Sequence, residues 1–498
     1  MLTTSEAKFL QKSVKSESVE LSSLDMIISI TTMPLFFHYR NTDGNADFMS
    51  SDILRSSFIA VLQEYPLMLG HLCQKEMGHC YINIDNNNLN TPVYKEAQSS
   101  MHFDELQKAH FDPEHLQPSP DKASFFLAGS LLTGAIKLVN VYINRFKDNS
   151  GVTIFISVAH ALIDFHGLVM FMNRWAEIYR QIQNGVSLDN ITKKLANYDR
   201  SIISKLIPPP ENPPADSLKK MQLDGGLLSK WLAWLSPAWR GSLFDFSIGF
   251  AGTTSCCFHI SRSSLDELHK LICDNSTAGQ RISDNDVLVA VYNIVYAQSI
   301  AAEENEKINS GILGRLSNYL LRTLSGYSDT FVYTFPVSLR PRIKNQSLDD
   351  YTGNAFTSAI VFNPVELLNM PATPQVIAQV AANTRKAVDS VDENYISHTV
   401  TGMTPPTDIY MRPFVYNVLV PGLLSSTNLT RFNMYSVDFG WGIPEWVGPH
   451  KSLMPKVAAF LPSHPSVGGY YMHIADSPST LKHIQQNTLW CKYVERSY

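Results

Sequence analysis

Hydrophobic positions along the 498-residue chain follow two alternating patterns. Apolar runs of strand length indicate β-strands, whereas apolar residues repeated every three and four positions indicate amphipathic helices. The runs predict strands over 27–39, 152–158, 331–339 and 354–362, and the helical spacing predicts helices over 50–66, 167–182, 264–272, 282–300 and 373–391. The C-terminal segment has the pattern of short strands and turns. This alternation predicts the α/β fold class.

The most informative stretch is 151–182. Val152–Val158 is an almost continuous, β-rich apolar run, as in a strand buried on both faces. From Gly167 onward the apolar residues follow the spacing of an amphipathic helix. His160 and Asp164 are therefore predicted to lie in the turn between strand and helix, which is where open α/β sheets place their functional residues.

The length of the chain predicts more than one domain. Five of the 27 prolines fall within residues 207–217, a composition typical of a linker. We therefore predict an N-terminal domain over 1–206, a crossover linker over 207–250 and a C-terminal domain over 251–498. Some of 370–400 is expected to pack with the N-terminal domain.

Composition excludes several classes of protein. With 44% hydrophobic residues the chain is not disordered, and its net charge of −5 argues against a nucleic-acid partner. No apolar run is long enough to span a bilayer, and the first twenty residues lack a signal-peptide core. Six cysteines without a CxxC pair do not form a disulfide framework. These features predict a cytoplasmic protein with no membrane partner.

His160 and Asp164 form an HxxxD motif. A neutral imidazole can deprotonate a hydroxyl for attack on an activated acyl carbon. About one accidental HxxxD is expected among fifteen histidines, so the spacing alone also fits a hydrogen-bonded core histidine. His166 extends the motif to HxxxDxH, which leaves a zinc hydrolase as an alternative. GxSxG, GxGxxG and Walker loops do not occur in the sequence, which argues against serine hydrolases, nucleotide redox enzymes and phosphoryl transferases.

The second motif is DFGWG at 438–442. Two glycines permit tight backbone turns and two aromatic side chains can fill a gap, whereas nothing in the motif can act as a nucleophile. From the residues alone we interpret Asp438, Gly440, Trp441 and Gly442 as structural support.

HxxxD followed by DFGWG resembles the BAHD acyltransferase family of acyl-CoA-dependent O- and N-acyltransferases. Further similar segments occur in the family's order along nearly the whole chain. These are LSSLDMII (21–28), LQEYPLMLGHL (62–72), NYDRS (197–201), ISDNDVLVA (282–290), SLRPR (338–342), YTGNAF (351–356) and TNLTRFNMYSVDFGWGIP (427–444).

The resemblance implies two chloramphenicol-acetyltransferase-like α/β domains with the active-site channel at their interface. His160 would act there as general base in a direct transfer, with acyl-CoA as co-substrate, a small-molecule acceptor, no tightly bound cofactor and no metal. The protein is expected to be a monomer.

The resemblance also implies roles for other residues. Asp164 would pair with an arginine of SLRPR, with Arg340 preferred over Arg342, and Thr427, in the loop leading into DFGWG, would donate to the oxyanion. Channel positions correspond to His166, Tyr351 and Asn354. Candidates for binding the polyanionic CoA are Arg431, Lys451 and Lys456.

Two departures narrow the branch. Phe165 follows the motif aspartate where many plant members have glycine, and Gly167 comes third, which is similar to the fungal trichothecene 3-O-acetyltransferase branch. Leu429 stands where plant hydroxycinnamoyl transferases commonly have tryptophan. We therefore expect acetyl transfer to a hydroxyl of a small, largely apolar metabolite. N-acylation of an amine and a condensation-type enzyme using a carrier-protein thioester remain alternatives. Against the second, Ala159 stands directly before His160, where condensation domains usually have a histidine.

Overall fold

The computed structural model describes residues 2–26, 31–75, 80–116, 136–208, 252–277, 280–308, 329–344, 347–402, 423–450 and 455–497. Nearly all of the predicted linker, 207–250, lies outside these ranges.

The strands are β1 (Glu17–Glu20), β2 (Thr32–Arg40), β3 (His71–Gln74), β4 (Cys80–Ile84), β5 (Val93–Gln98), β6 (Val139–Arg145), β7 (Gly151–Ala159), β8 (Thr254–Ile260), β9 (Thr330–Ser338), β10 (Phe356–Pro364), β11 (Leu423–Asn428), β12 (Trp446–Pro449), β13 (Val457–Pro462), β14 (Tyr470–Asp476) and β15 (Glu495–Arg496).

The helices are α1 (Thr4–Ser13), α2 (Ser23–Met26), α3 (Ser51–Leu62), α4 (Phe103–Lys108), α5 (Phe165–Gln183), α6 (Ile202–Leu206), α7 (Arg262–Asp274), α8 (Asp284–Ile308), α9 (Val365–Asn369), α10 (Pro374–Asp389), α11 (Glu393–Gly402), α12 (Pro478–Gln486) and α13 (Thr488–Tyr493). The C-terminal pair, α12 and α13, falls where the sequence pattern predicted only strands and turns.

The N-terminal half is built on a five-stranded sheet with the order β12-β2-β7-β6-β5. Every residue of β7 is buried, as its continuous apolar run predicted. Ile154, Ile156 and Val158 belong to the larger core, which also contains residues of α3 and α5, whereas Phe155 joins an aromatic cluster on the opposite face. A small sheet, β1-β4-β3, adjoins this half.

The C-terminal half is built on a seven-stranded sheet with the order β10-β9-β11-β13-β14-β8-β15. Alternate residues such as Tyr333, Phe460 and Ile474 belong to the core that also includes residues of α7, α8, α10 and α12. Residues of the other parity include Ala459, Leu461 and Tyr471, which pack against the N-terminal cores. The opposite face of this sheet therefore meets the N-terminal half.

The two halves exchange segments. β12 comes from the C-terminal half of the sequence but pairs antiparallel with β2, with Trp446 opposite His38. The predicted domain over 251–498 thus gives its DFGWG region to the N-terminal sheet, because Phe439 and Val447 are buried in the N-terminal core. Part of the segment 370–400 was expected to pack with the N-terminal domain. Its helix α10 packs on α8 and β10 in the C-terminal half, whereas the next helix, α11, contacts α2 of the N-terminal half.

The α/β class is confirmed, and so are the strand and helix on either side of the HxxxD turn. No helix among the described residues is both long enough and apolar enough to cross a membrane.

Candidate active site

His160 and Asp164 occupy the turn between β7 and α5. His160 directly follows the last residue of β7, and its backbone N–H still donates to the carbonyl of Thr31 at 2.9 Å. Asp164 is the N-cap of α5, and its Oδ1 accepts from the backbone N–H of Gly167 at 3.0 Å. The end of the buried apolar run and an aspartate cap therefore fix where the strand stops and the helix starts.

The carboxylate of Asp164 forms a buried ion pair with Arg340. Nη1 and Nη2 of Arg340 donate to Oδ2 and Oδ1 of Asp164 at 2.6 and 3.1 Å. Both side chains are less than 10% exposed, and the backbone N–H of Ala355 donates to Oδ2 at 3.2 Å. Arg340 also donates to three carbonyls, those of Leu348, Tyr351 and Gly353. This bidentate pair joins the HxxxD turn to the C-terminal half.

A second buried ion pair supports the same turn from another side. Asp25 and Arg200 are paired at 3.1 Å and both are almost completely buried. Arg200 donates to the carbonyl of Leu162. Asn354 donates through Nδ2 to Oδ1 of Asp25 and to the carbonyl of His160, each at 2.8 Å. Two carbonyls of the turn are thus held by groups distant in sequence.

Two glycines allow this close approach. A Cβ at Gly353 would lie 1.9 Å from a guanidinium nitrogen of Arg200, and a Cβ at Gly167 would lie 2.5 Å from the carbonyl oxygen of Thr352. Any side chain at these positions would separate the turn from the 351–354 segment. Packing against Thr352 therefore explains why glycine occupies position 167, the third after Asp164.

The ring of His160 retains a partly exposed surface but sits deep in the protein. Its Nδ1 is buried from solvent and has no hydrogen-bond partner among the described residues. Burial lowers the pKa of the imidazole below its usual 6.5, and the opposing effect of the Asp164 carboxylate does not overcome it. Phe356, the first residue of β10, lies 5.9 Å from the ring between centroids. A neutral imidazole at this position fits proton abstraction at pH 7.

Thr427 lies in β11, not in the loop where the sequence analysis placed it. The strand register explains its orientation. Ser425 pairs with Thr334, and Thr334 pairs with Ile360, which shares the parity of Phe356. Because side chains alternate along strands, Thr427 stands on the same sheet face as Phe356. That face is the one on which the seven-stranded sheet meets the N-terminal half.

DFGWG packs around the far end of α5. Oδ1 of Asp438 accepts from the backbone N–H groups of Gly440, Trp441 and Gly442 at 2.7, 3.1 and 3.0 Å. Phe439 is fully buried, and Arg180 of α5 donates to the carbonyl of Asp438. Arg180 comes sixteen residues after Asp164, which corresponds to about 24 Å along a helix. The motif is a packing element distant from His160.

The CoA candidates have different surroundings. Arg431 is exposed in the turn after β11. Lys456 precedes β13 with a φ of +62°, and burial lowers the pKa of its ammonium group to about 8. Lys451 lies outside the described residues.

The three candidates for the channel are engaged in hydrogen bonds or buried. Nε2 of His166 is bonded to the carbonyl of Asp349 at 2.9 Å, so this histidine joins α5 to the 347–350 segment. The sequence analysis expected Tyr351 and Asn354 to line the channel. Both instead lie behind the HxxxD turn and expose none of their surface. No group of three or more potential metal ligands occurs in the described part of the chain.

Sequence reasoning did not assign site roles to Asp25 and Arg200. Both occur in segments whose order along the chain was noticed, LSSLD and NYDRS. Their pairing links positions 175 residues apart, and no local pattern signals such a contact.

Comparisons with known proteins found similar sequences over most of the chain. A family model described as the transferase family matches residues 2–221 and 324–489. Hydroxycinnamoyltransferase 2 of Oryza sativa subsp. japonica is 22% identical over 464 residues, which cover 89% of this chain and 88% of the relative. Putrescine hydroxycinnamoyltransferase 1 of the same organism is 24% identical over 191 residues, 38% of this chain and 40% of the relative.

Solved structures show the same fold. F. sporotrichioides TRI101, complexed with coenzyme A and T-2, superposes with a TM-score of 0.69 at 15% identity, covering 97% of this chain and all of that one. Vinorine synthase superposes with a TM-score of 0.60 at 15% identity, covering 96% and 94%. The predicted arrangement of two chloramphenicol-acetyltransferase-like domains is thereby confirmed. Since the family model spans more than half of the sequence, the chain belongs to the BAHD family of acyl-CoA-dependent acyltransferases.

Proposed function

We propose that this acyltransferase transfers an acyl group, of which acetyl is the expected one, from CoA to a hydroxyl of a small, largely apolar acceptor. The observation that carries the proposal is His160 itself, a partly exposed imidazole whose pKa is lowered by burial, in a turn that two buried ion pairs hold in place. The fungal TRI101 structures, which hold coenzyme A with T-2 or deoxynivalenol, support an acceptor with hydroxyl groups.

The reaction proceeds through one tetrahedral intermediate. Nε2 of His160 takes the hydroxyl proton while the acceptor oxygen forms a bond to the thioester carbonyl carbon. Collapse breaks the carbon–sulfur bond, and the CoA thiolate takes the proton back from Nε2. All atoms and charges balance without an acyl-enzyme or a further reactant.

Thr427 is our proposed donor to the oxyanion of this intermediate. Its position on the same sheet face as Phe356 supports this role. Arg431 and Lys456 are proposed contacts for the phosphates of CoA. A lysine with a pKa near 8 is still largely charged at pH 7, as this role requires.

The test is an acyl-transfer assay with acetyl-CoA and a panel of apolar alcohols, with products identified by mass spectrometry. His160→Ala should lower kcat by at least about a hundredfold, because general-base catalysis contributes that much or more. His166→Ala is the matched control, since this histidine is bound to a backbone carbonyl and should retain most of the activity. Turnover retained in His160→Ala contradicts the general-base role.

N-acylation is the second candidate function. Two curated relatives are named for it or for an amine: putrescine hydroxycinnamoyltransferase 1, and the Avena sativa hydroxycinnamoyl-CoA:5-hydroxyanthranilate N-hydroxycinnamoyltransferase HHT4, which is 21% identical over 467 residues. The same assay run with amines distinguishes the two functions. If products form from amines and none from alcohols, the function is N-acylation and the O-acylation proposal is wrong.

Thermal unfolding with acetyl-CoA, longer acyl-CoAs and free CoA identifies the donor. A ligand at 100 times its Kd adds about 2.7 kcal/mol, which corresponds to a rise in Tm of about 2–3 °C for a chain of this length. If no CoA species stabilises the protein, the donor is a carrier-protein thioester instead.

A further inference from the structure

An aromatic ring, that of Phe356, lies beside the imidazole of His160. The two ring centroids are 5.9 Å apart, and the ring planes are inclined by 57°. The residue before it is held on both sides, because the backbone N–H of Ala355 donates to Oδ2 of Asp164 at 3.2 Å and its carbonyl accepts from the backbone N–H of Leu339 at 2.8 Å. The bonds that join β10 to the HxxxD turn therefore also fix where the Phe356 ring stands.

Phe356 is much larger than its neighbours on the same face of the sheet. Ser338 stands directly opposite it on β9, Ser358 is the next residue of β10 on that face, and Pro336 is opposite Ser358. Like Phe356, these three residues are partly exposed, whereas the intervening residues of both strands are buried. One large side chain thus stands among small ones on an accessible part of the face that meets the N-terminal half.

The exposure continues along β10 away from His160. Ser358 and Ile360 are partly exposed, and Phe362, on the same face, is 49% exposed. β10 is the outermost described strand of the seven-stranded sheet. Accessible surface therefore extends along this face from Phe356 to the edge of the sheet, as the entry of a small molecule requires.

The position of Thr427 indicates which substrate faces Phe356. As the proposed oxyanion donor, Thr427 would bind the carbonyl oxygen of the thioester, and it stands on β11, two strands from β10 in the order β10-β9-β11. Adjacent strands are about 4.8 Å apart, so its main chain is about 10 Å or more from that of β10. The thioester then lies towards β11, and the side of His160 that Phe356 bounds is left to the acceptor.

We propose that Phe356 is a specificity-determining residue of the acceptor site, whose ring limits the bulk that an acceptor carries beside its reacting hydroxyl. The inference rests on the proposed O-acyl transfer with His160 as general base. The hydroxyl must come within about 3 Å of the imidazole, and a ring centred 5.9 Å from it leaves little room for branches on the adjacent carbons. The acceptor class is therefore an apolar alcohol that is unbranched next to the carbon bearing the hydroxyl.

The test compares cyclohexanol, 2-methylcyclohexanol and 2,6-dimethylcyclohexanol, which differ in the bulk beside the hydroxyl. For the wild type we expect kcat/KM with acetyl-CoA to fall along this series. Phe356→Ala should raise kcat/KM for the dimethyl alcohol relative to cyclohexanol about tenfold or more, because one methyl group in a tight apolar site changes kcat/KM by about that factor. Phe356→Trp should lower the same ratio. The preference among acetyl-, butanoyl- and hexanoyl-CoA should stay within about twofold.

Phe362→Ala is the matched control. Phe362 is the same type of residue on the same strand and face, but it lies six residues further along, about 20 Å away. This variant should leave the alcohol ratio and the acyl-CoA preference unchanged. An alcohol ratio that Phe356→Ala does not change, a changed acyl-CoA preference in its place, or an equal effect of Phe362→Ala overturns the proposal. Phe356→Leu keeps an apolar contact with the C-terminal core and decides the question if Phe356→Ala does not fold.

Binding separates this inference from the proposed function. If the wild type forms no ester with any acyl-CoA, the O-acylation proposal fails, and the three alcohols are titrated by calorimetry into protein saturated with free CoA. Phe356→Ala should then lower the Kd of 2,6-dimethylcyclohexanol relative to that of cyclohexanol about tenfold. An unchanged ratio of the two Kd values, or no binding of any alcohol, overturns the role of Phe356.

Discussion

Replacing Arg340 by methionine removes the guanidinium and keeps an unbranched side chain in the same space. The carboxylate of Asp164 then loses its bonds of 2.6 and 3.1 Å and retains two donors, the backbone N–H groups of Gly167 and Ala355. Its side chain is only 7% exposed, so water cannot replace the lost partner. The variant leaves a buried charge without its counter-ion.

The expected cost follows from burial. Breaking a buried ion pair by removing one partner costs about 3–5 kcal/mol, and we expect Arg340→Met to fall in this range. Asp164→Asn should cost less, because Arg340 keeps three carbonyl acceptors. The double variant leaves neither charge alone, so its loss should be smaller than the sum of the two single losses by about 2–3 kcal/mol.

Urea unfolding of the wild type, both single variants and the double variant at pH 7 measures this coupling, provided that the m values agree. Arg262→Met is the control. Arg262 also binds two carboxylates, Asp266 and Asp284, but is 44% exposed, and an exposed pair contributes about 1 kcal/mol or less. A coupling below about 1 kcal/mol, or an Arg340→Met variant no less stable than Arg262→Met, would refute the argument that burial strengthens the Asp164 pair.

Three further predictions test other parts of the molecule. Burial lowers the pKa of His38 to about 3, so as pH falls below 6.5 the unfolded chain binds a proton at this histidine before the folded protein does. The resulting loss in the free energy of unfolding is about 2 kcal/mol at pH 5. His38→Phe should weaken the dependence of the unfolding free energy on pH, as measured by urea titration. Gly442→Ala, at a φ of +95° with open space around it, should cost about 1–2 kcal/mol of unfolding free energy. Gly440→Ala, at a φ of +91°, should cost a similar amount, because the Gln183 side-chain oxygen 2.7 Å from its Cβ is exposed and can move. In either variant, an acyl-transfer rate changed more than about twofold would contradict the structural role of DFGWG. Arg431→Ala should raise KM for the acyl-CoA about fivefold at low salt, and a KM independent of salt would exclude this contact.

Local sequence patterns were sufficient for the part of the site that is local. The apolar run before His160 has the composition of a strand buried on both faces, and the spacing after Gly167 is helical, so the turn between them could be located within a residue or two. The sequence analysis did not name Asp164 as the cap of α5, although an aspartate just before a helical pattern is typical of one.

Pairings between distant segments could not be predicted in this way. β12 joins β2 across about 400 residues, and a period of two residues predicts a strand without naming its neighbour. For the same reason Thr427 was assigned to a loop. The helices α12 and α13 were missed because each is short, with nine and six residues, and its pattern has little length in which to repeat.

The two ion pairs explain why a set of scattered residues is informative where HxxxD alone is not. Arg340 holds the carboxylate of Asp164, Arg200 holds the carbonyl of Leu162, and Asn354 holds the carbonyl of His160. Each of these groups belongs to a different stretch of sequence, so each must match the turn independently of the others. An accidental HxxxD does not bring two arginines and an amide to its turn, and the joint presence of these residues therefore carries far more information about the site than the spacing of His160 and Asp164.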